Sequence, residues 1–154
     1  MLIKLNNRAV KDVTEFGSIT SLGSLTHIST ATASSSASIE FTSGIDSTYK
    51  EYVFYFVNIH PATDGTVFEF NMSTDGGSNY NVTKTSTFFR AYHQEDDGGA
   101  DVGYDGGDDL AQSTNFQRLH SPIGNGADES GSGYLRIFNP SSNVFVKHFI
   151  SNNN

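Results

Sequence analysis

The chain of 154 residues contains no cysteine and no tryptophan, and only 3 prolines and 2 methionines. Without cysteine there is no disulfide framework, no thiolate metal site and no cysteine nucleophile, so stability must come from packing or from a partner. No stretch approaches the ~18 apolar residues of a membrane span, and nothing from Met1 onward has the apolar run of a signal peptide, so a soluble protein outside the simple secretory route is expected. The sequons at Asn71 and Asn81 matter only in that route. A basic stripe is missing as well. Between Glu95 and Gly133 stand nine acids and one base, Arg118, which accounts for the whole formal charge of −8, and the rest of the chain is neutral. Phosphate-backbone binding needs clustered cations that release counterions, so nucleic acid is not an expected partner, nor is a membrane.

What is present is aromatic and β-prone. Phe 12 and Tyr 7 concentrate the apolar area of a chain that is only 36% hydrophobic, which predicts a small aromatic core in a single domain. In residues 52–59, YVFYFVNI, Tyr52, Phe54 and Phe56 face one way and Val53, Tyr55 and Val57 the other, a strand whose two apolar faces both call for cover. Residues 66–73 alternate, with Phe68, Phe70 and Met72 on one side, as in a half-buried strand. Between them Pro61 and Asp64-Gly65 suit a turn, so the two strands are expected to pair as an antiparallel hairpin. Further strands are expected over residues 80–85, 87–92, 134–138 and 144–150, with weaker ones at Leu25 with Ile28 and at Ile39 with Phe41. The STATASSSAS run between these last two suits a linker and an exposed edge strand equally well. The Gly- and Asp-rich segment 95–133 reads as a long acidic loop with one helical turn near Asp108 to Gln112.

The fold class that follows is all-β: an antiparallel β-sandwich, jelly-roll-like, over residues 18–154. It is preceded by a non-β arm, residues 1–17. The apolar strand at 144–150 is an unusual last strand, and suggests that closing strands are missing or are supplied by a neighbour. In the arm, Lys4, Arg8 and Lys11 accompany Val10, Val13 and Phe16, a basic and partly apolar stretch suited to docking on another subunit.

Catalytic groupings do not emerge. His27, His60, His93, His120 and His148 lack metal-ligand spacing, no G-x-S-x-G elbow occurs, and the loop carboxylates sit on backbone too glycine-rich to hold an acid and a base in register. No enzyme activity, cofactor or resident metal is expected. The acidic loop offers the oxygen ligands that calcium takes, so calcium is the alternative to a solvated loop there, but its spacing matches neither the EF-hand nor the nonapeptide calcium pattern. Ser73, Asp75, Gly77 and Tyr80 fit the Asp-box pattern S-x-D-x-G-x-x-aromatic of sialidase and other surface-protein hairpins, where the Asp accepts turn amides and the role is structural. A sialidase reading lacks the repeated boxes and the arginine cluster. Phe88, Phe89 and Tyr92 beside Arg90 suit either a core strand with one outward Arg or a sugar-stacking platform.

Several phrases resemble a family of virion structural proteins from phages of marine bacteria, especially cyanophages: LNNRAVKDVTEFGS, FTSGIDSTYKEYVFYFVNIHPATDG, STDGGSNYN, and LRIFNPSS with FVKHFI. The resemblance covers most of the chain and is weakest over residues 95–133. It implies a β-sandwich body in a capsid knob-like decoration protein or a fibre-associated protein, with further strands beyond the position of Asn154. The expected function is therefore decoration of the outer capsid surface, docked through the arm onto the major capsid protein or other virion subunits. The alternative is a tail or side-fibre module touching host surface glycans through the loops of 95–133. A glycan depolymerase is the remaining class, and self-association is compatible with any of them.

Overall fold

The computed structural model describes residues 25–154, and the account below concerns its main unit, Ala31–Asn154. The described chain is all-β: seven strands and no helix. They are β1 (Glu51–Ile59), β2 (Thr66–Phe70), β3 (Phe89–His93), β4 (Ala100–Tyr104), β5 (Gln117–Ile123), β6 (Gly131–Phe138) and β7 (His148–Asn153). Every pairing is antiparallel, giving a sheet of order β1-β6-β7 and two pairs, β2-β5 and β3-β4. The pairings β3-β4, β2-β5 and β1-β6 are nested one inside the next, as in a single long ribbon folded back on itself.

The core sits between the three-stranded sheet and the β2-β5 pair. Leu119 of β5 meets Leu135 and Ile137 of β6, with Phe54, Phe56, Phe68, Phe70, Met72 and Phe149 packed around them. Phe56 meets Phe68 edge to face at 4.9 Å, and Phe70 meets Phe149 at 5.2 Å, so aromatic pairs from opposite sheets close the core in a favoured geometry. The Asn153 amide donates to the Leu119 carbonyl at 3.0 Å and ties the end of β7 to β5. Gly133 lies where β6 crosses β7 so closely that a Cβ would collide with the backbone of Asn152 and Asn153.

The expected hairpin of β1 with β2 does not form. Gly65 does take the positive φ foreseen for the turn, 67°, but β2 passes to the other sheet and pairs β5. Each strand has an apolar face, and facing one another across the core buries both, whereas pairing side by side would leave both to be covered from elsewhere. Asn58, at φ 52°, breaks the β1 ladder just before the crossing, where its register slips between Phe56 and Ile59.

The acidic loop is also corrected. Residues 95–133 contain all of β4 and β5 and the start of β6, and no helical turn occurs at Asp108 to Gln112. The Gly-Asp stretches form only the tip joining β3 to β4 and the turn after β4, where the Asp108 amide donates to the Asp105 carbonyl. β2 stops at Phe70, so Met72 and Ser73 lie past its end. Residues 80–85 contribute one isolated bridge, Lys84 to Ser113. Val144, Phe145 and Val146 are exposed and outside any strand, because β7 begins only at His148. No strand forms at Leu25 with Ile28 or at Ile39 with Phe41, and STATASSSAS is exposed non-strand chain. Small hydroxyl side chains there bond to nearby backbone, as Ser36 does to Ser34, and bury too little apolar area to hold a ladder. Phe41 reaches the core without a strand, edge-on to Phe54 at 5.6 Å.

Candidate functional site

Lys4, Arg8, Val10, Lys11, Val13 and Phe16, expected to serve in docking, lie outside the described residues. Within them, chemistry gathers in three places.

The first is a polar groove of about 630 Å³ where β2 and β5 meet the chain following β4, lined among others by Glu69, Tyr80, Asp108, Phe116 and Arg118. Its wall is built on Gln117, the inward residue that opens β5 and is 2% exposed. The Gln117 amide donates to the carbonyls of Asp108 and Arg118 at 3.0 Å each, and its oxygen accepts from the Ser86 hydroxyl. Arg118 points the other way and pairs with Asp108 at 2.5 Å, both side chains largely covered. The one base among nine acids is thus spent on holding the acidic turn against β5. Beside the groove, Asn71 donates to the carbonyls of Tyr80 (2.7 Å) and Thr114 (3.0 Å) and accepts from the buried Lys84 ammonium at 2.5 Å. Burial pushes Lys84 below the usual lysine range, since the neutral form costs less to bury. Burial, with the Glu40 carboxylate adding to it, pushes the Tyr80 phenol up. Three carboxylates, Glu69, Asp108 and Asp109, one of them bound to a guanidinium, alongside aromatic rings give a surface that can hydrogen-bond and stack on a polar ligand such as a sugar.

The second is the Asp-box turn, which forms as expected. Asp75 accepts from the Asn79 amide (2.9 Å), the Asn79 side chain (2.7 Å) and the Ser73 hydroxyl (2.6 Å), and these bonds hold its carboxyl down from 3.8 to about 2, led by Asn79. The Gly77 amide donates to Ser73 Oγ at 2.9 Å while Gly77 adopts φ 91° with Thr42 against it. The polar groups of Ser73 and Asp75 are committed to bonds within the turn itself, which is a structural role.

The third is the β3-β4 hairpin, all but Gly103 exposed. By register Phe89 and Tyr104, Ala91 and Val102, and His93 and Ala100 are opposite one another, so one face is apolar, with Phe89 71% and Val102 81% exposed. The other carries Arg90, Tyr92 and Asp101, with Arg90 lying 5.3 Å over the Tyr92 ring and 3.7 Å from Asp105. Phe89 and Tyr92 therefore do not form one sugar platform with Arg90, and neither is in a core strand. Tyr104 donates to Asp109, which pushes its phenol up.

A related surface is the outer face of β1-β6-β7. The sequence demanded cover for both faces of β1, and Tyr52, Phe54 and Phe56 receive it on one face, whereas on the other only Val53 is half-buried. Tyr55 and Val57 are exposed, as is Ile150 of β7. Arg136 lies among them, joined to Glu51 at 3.0 Å and stacked 5.2 Å over Tyr134.

Among the described residues no three acid or histidine side chains are grouped to hold a metal ion, and no helix is long and apolar enough to cross a membrane. His60 bonds the Glu129 carbonyl, linking the chain after β1 to the chain before β6, and His120 bonds the carbonyl of its neighbour Ser121. Sequence reasoning named Tyr80 within the Asp-box pattern and Arg118 as the lone base, but did not bring them together with Glu69, Asp108 and Phe116 as a groove. Their signals were the lone Arg118 and the alternation of Leu119 with Ile123 inside an acidic stretch. No family model, curated protein or solved structure matches the chain.

Proposed function

We propose that this protein is a non-enzymatic virion structural protein, a knob-like decoration of the outer capsid surface held by residues 1–17 against the major capsid protein or a neighbouring virion subunit. The supporting observation is the apolar surface that a small β body leaves uncovered: the β3-β4 face and the outer face of β1-β6-β7 both present large side chains to water. Contiguous exposed apolar patches of this kind mark surfaces meant for other subunits. The likeness of its sequence phrases to marine-phage virion proteins agrees with it. The body is an antiparallel β-sandwich of jelly-roll-like type, for which the nested pairing of β1-β6, β2-β5 and β3-β4 is the argument.

Density for the chain on the outer shell in a reconstruction of the intact particle is the expected result. A chain lacking residues 1–17 should be absent from purified particles, and undiminished occupancy would remove the arm from the proposal. A fibre module that touches host glycans is favoured by one feature, the groove bounded by Tyr80, Phe116, Glu69 and Arg118. Binding on a glycan array that is lost in Arg118→Ala, together with density on the tail, is the result that would select this second reading.

A further inference from the structure

We infer that Lys84 and Asn71 join in an intramolecular isopeptide bond, the Lys84 amine displacing ammonia from the Asn71 carboxamide. The inference stands apart from the location of the protein on a particle, because the reaction needs only groups of this chain.

Lys84 is the buried cationic side chain among the described residues, 4% exposed. Its Nζ donates to Asn71 Oδ1 at 2.5 Å and to the Val82 carbonyl at 2.9 Å, so both partners are neutral oxygens. A carboxylate partner would hold the amine as ammonium. Here burial works the other way and moves it below the usual lysine range, toward the uncharged form that attacks carbonyls.

Asn71 is held ready for that attack. Its Oδ1 also accepts the Met72 amide at 2.9 Å, a donor that stays in place as the oxygen becomes anionic. Its Nδ2 donates to the carbonyls of Tyr80 at 2.7 Å and Thr114 at 3.0 Å, which fixes the plane of the carboxamide. Cγ is about 1.23 Å from Oδ1, and Oδ1 is 2.5 Å from Nζ, so the amine is at most about 3.7 Å from Cγ, close to the ~3–3.5 Å of a near-attack arrangement. Both backbones are anchored as well. The Val82 amide donates to the Met72 carbonyl at 3.4 Å, and Lys84 bridges Ser113.

The step balances without an oxidant or another reactant. The Nζ–Cγ bond forms, the Cγ–Nδ2 bond breaks, and one Nζ proton passes through solvent to Nδ2, which leaves as ammonia. Tyr80 and Thr114 line the groove, which gives ammonia a way out. The product replaces a buried amine by an uncharged amide, whose remaining N–H still faces the Val82 carbonyl. It also closes the Asp-box hairpin, residues 72–83, at its base, a covalent clasp in a chain without cysteine.

Intact-mass spectrometry of the full chain after overnight incubation in alkaline buffer tests the bond. The wild type should weigh about 17 Da less than its sequence, one ammonia. Trypsin should no longer cut after Lys84, so residues 51–90 should appear as one peptide carrying the loss, with no fragment ions from cleavage within 72–83. Lys84→Arg and Asn71→Ala should both keep their full sequence mass. The peptide map of the wild type decides the matter by itself should either variant fail to fold. A wild-type chain of full mass overturns the inference, as does a gain of about 1 Da from deamidation. So does the same loss accompanied by cleavage after Lys84, or persisting in Lys84→Arg, because a succinimide at asparagine then accounts for it.

Discussion

Asp75 is the residue whose surroundings most alter its chemistry. Its folded carboxyl titrates near 2 against an ordinary 3.8, so the turn it closes is strengthened at pH values above 3.8 and loses that contribution as the pH falls through about 2. Protection of the Asn79 amide, its exchange relative to the intrinsic rate at the same pH, should therefore fall as the carboxyl protonates, read by NMR between pH 4 and 2. Asp75→Ala should lack that protection at every pH. Equal protection in the wild type and the variant would exclude the carboxyl as the acceptor. The same residue shows how legible a short motif is: Ser73, Asp75, Gly77 and Tyr80 announced the turn because all its bonds are local.

At the scale of an element, β5 shows what a composition-based reading misses. It lies in a segment dominated by Asp and Gly, yet Leu119 and Ile123 face inward, and Pro122 fits because the strand has only β2 as a hydrogen-bonded neighbour. Its first residue, Gln117, fastens the acidic turn to the sheet through Asp108 and Ser86. Gln117→Leu keeps the volume but leaves the Ser86 hydroxyl and the Asp108 carbonyl short of a partner, with an expected loss of about 1–3 kcal/mol in chemical denaturation. A neutral outcome would mean that water reaches both groups. β4 is a parallel case. Ala100, Val102 and Tyr104 alternate with polar residues opposite an apolar series on β3, and that alternation outweighs the glycines beside it.

Across the whole molecule, stability rests on few side chains. Only Tyr52, Leu119, Ile123, Leu135 and Ile137 form the buried apolar set among the described residues, and Leu135, 3% exposed, lies where β5 and β6 meet. Leu135→Ala should cost about 2–5 kcal/mol, a large part of the 5–15 kcal/mol typical of a domain. Thermal unfolding should then fall well below that of the wild type, and a shift of a degree or two would show that the two sheets do not depend on one core.

The amino-acid order by itself determined that the described chain is all-β, where most of its strands lie, which side of β2 is apolar, and that residues 73–80 make an Asp-box turn. These follow from period-two alternation and from side chains bonding within a few residues. Only the tertiary structure decided that β1 pairs β6 and not β2, that the acidic stretch supplies two strands, and that the second apolar face of β1 remains open. Partner choice depends on which faces meet across the core, and that competition is between segments some eighty residues apart, which no local pattern encodes.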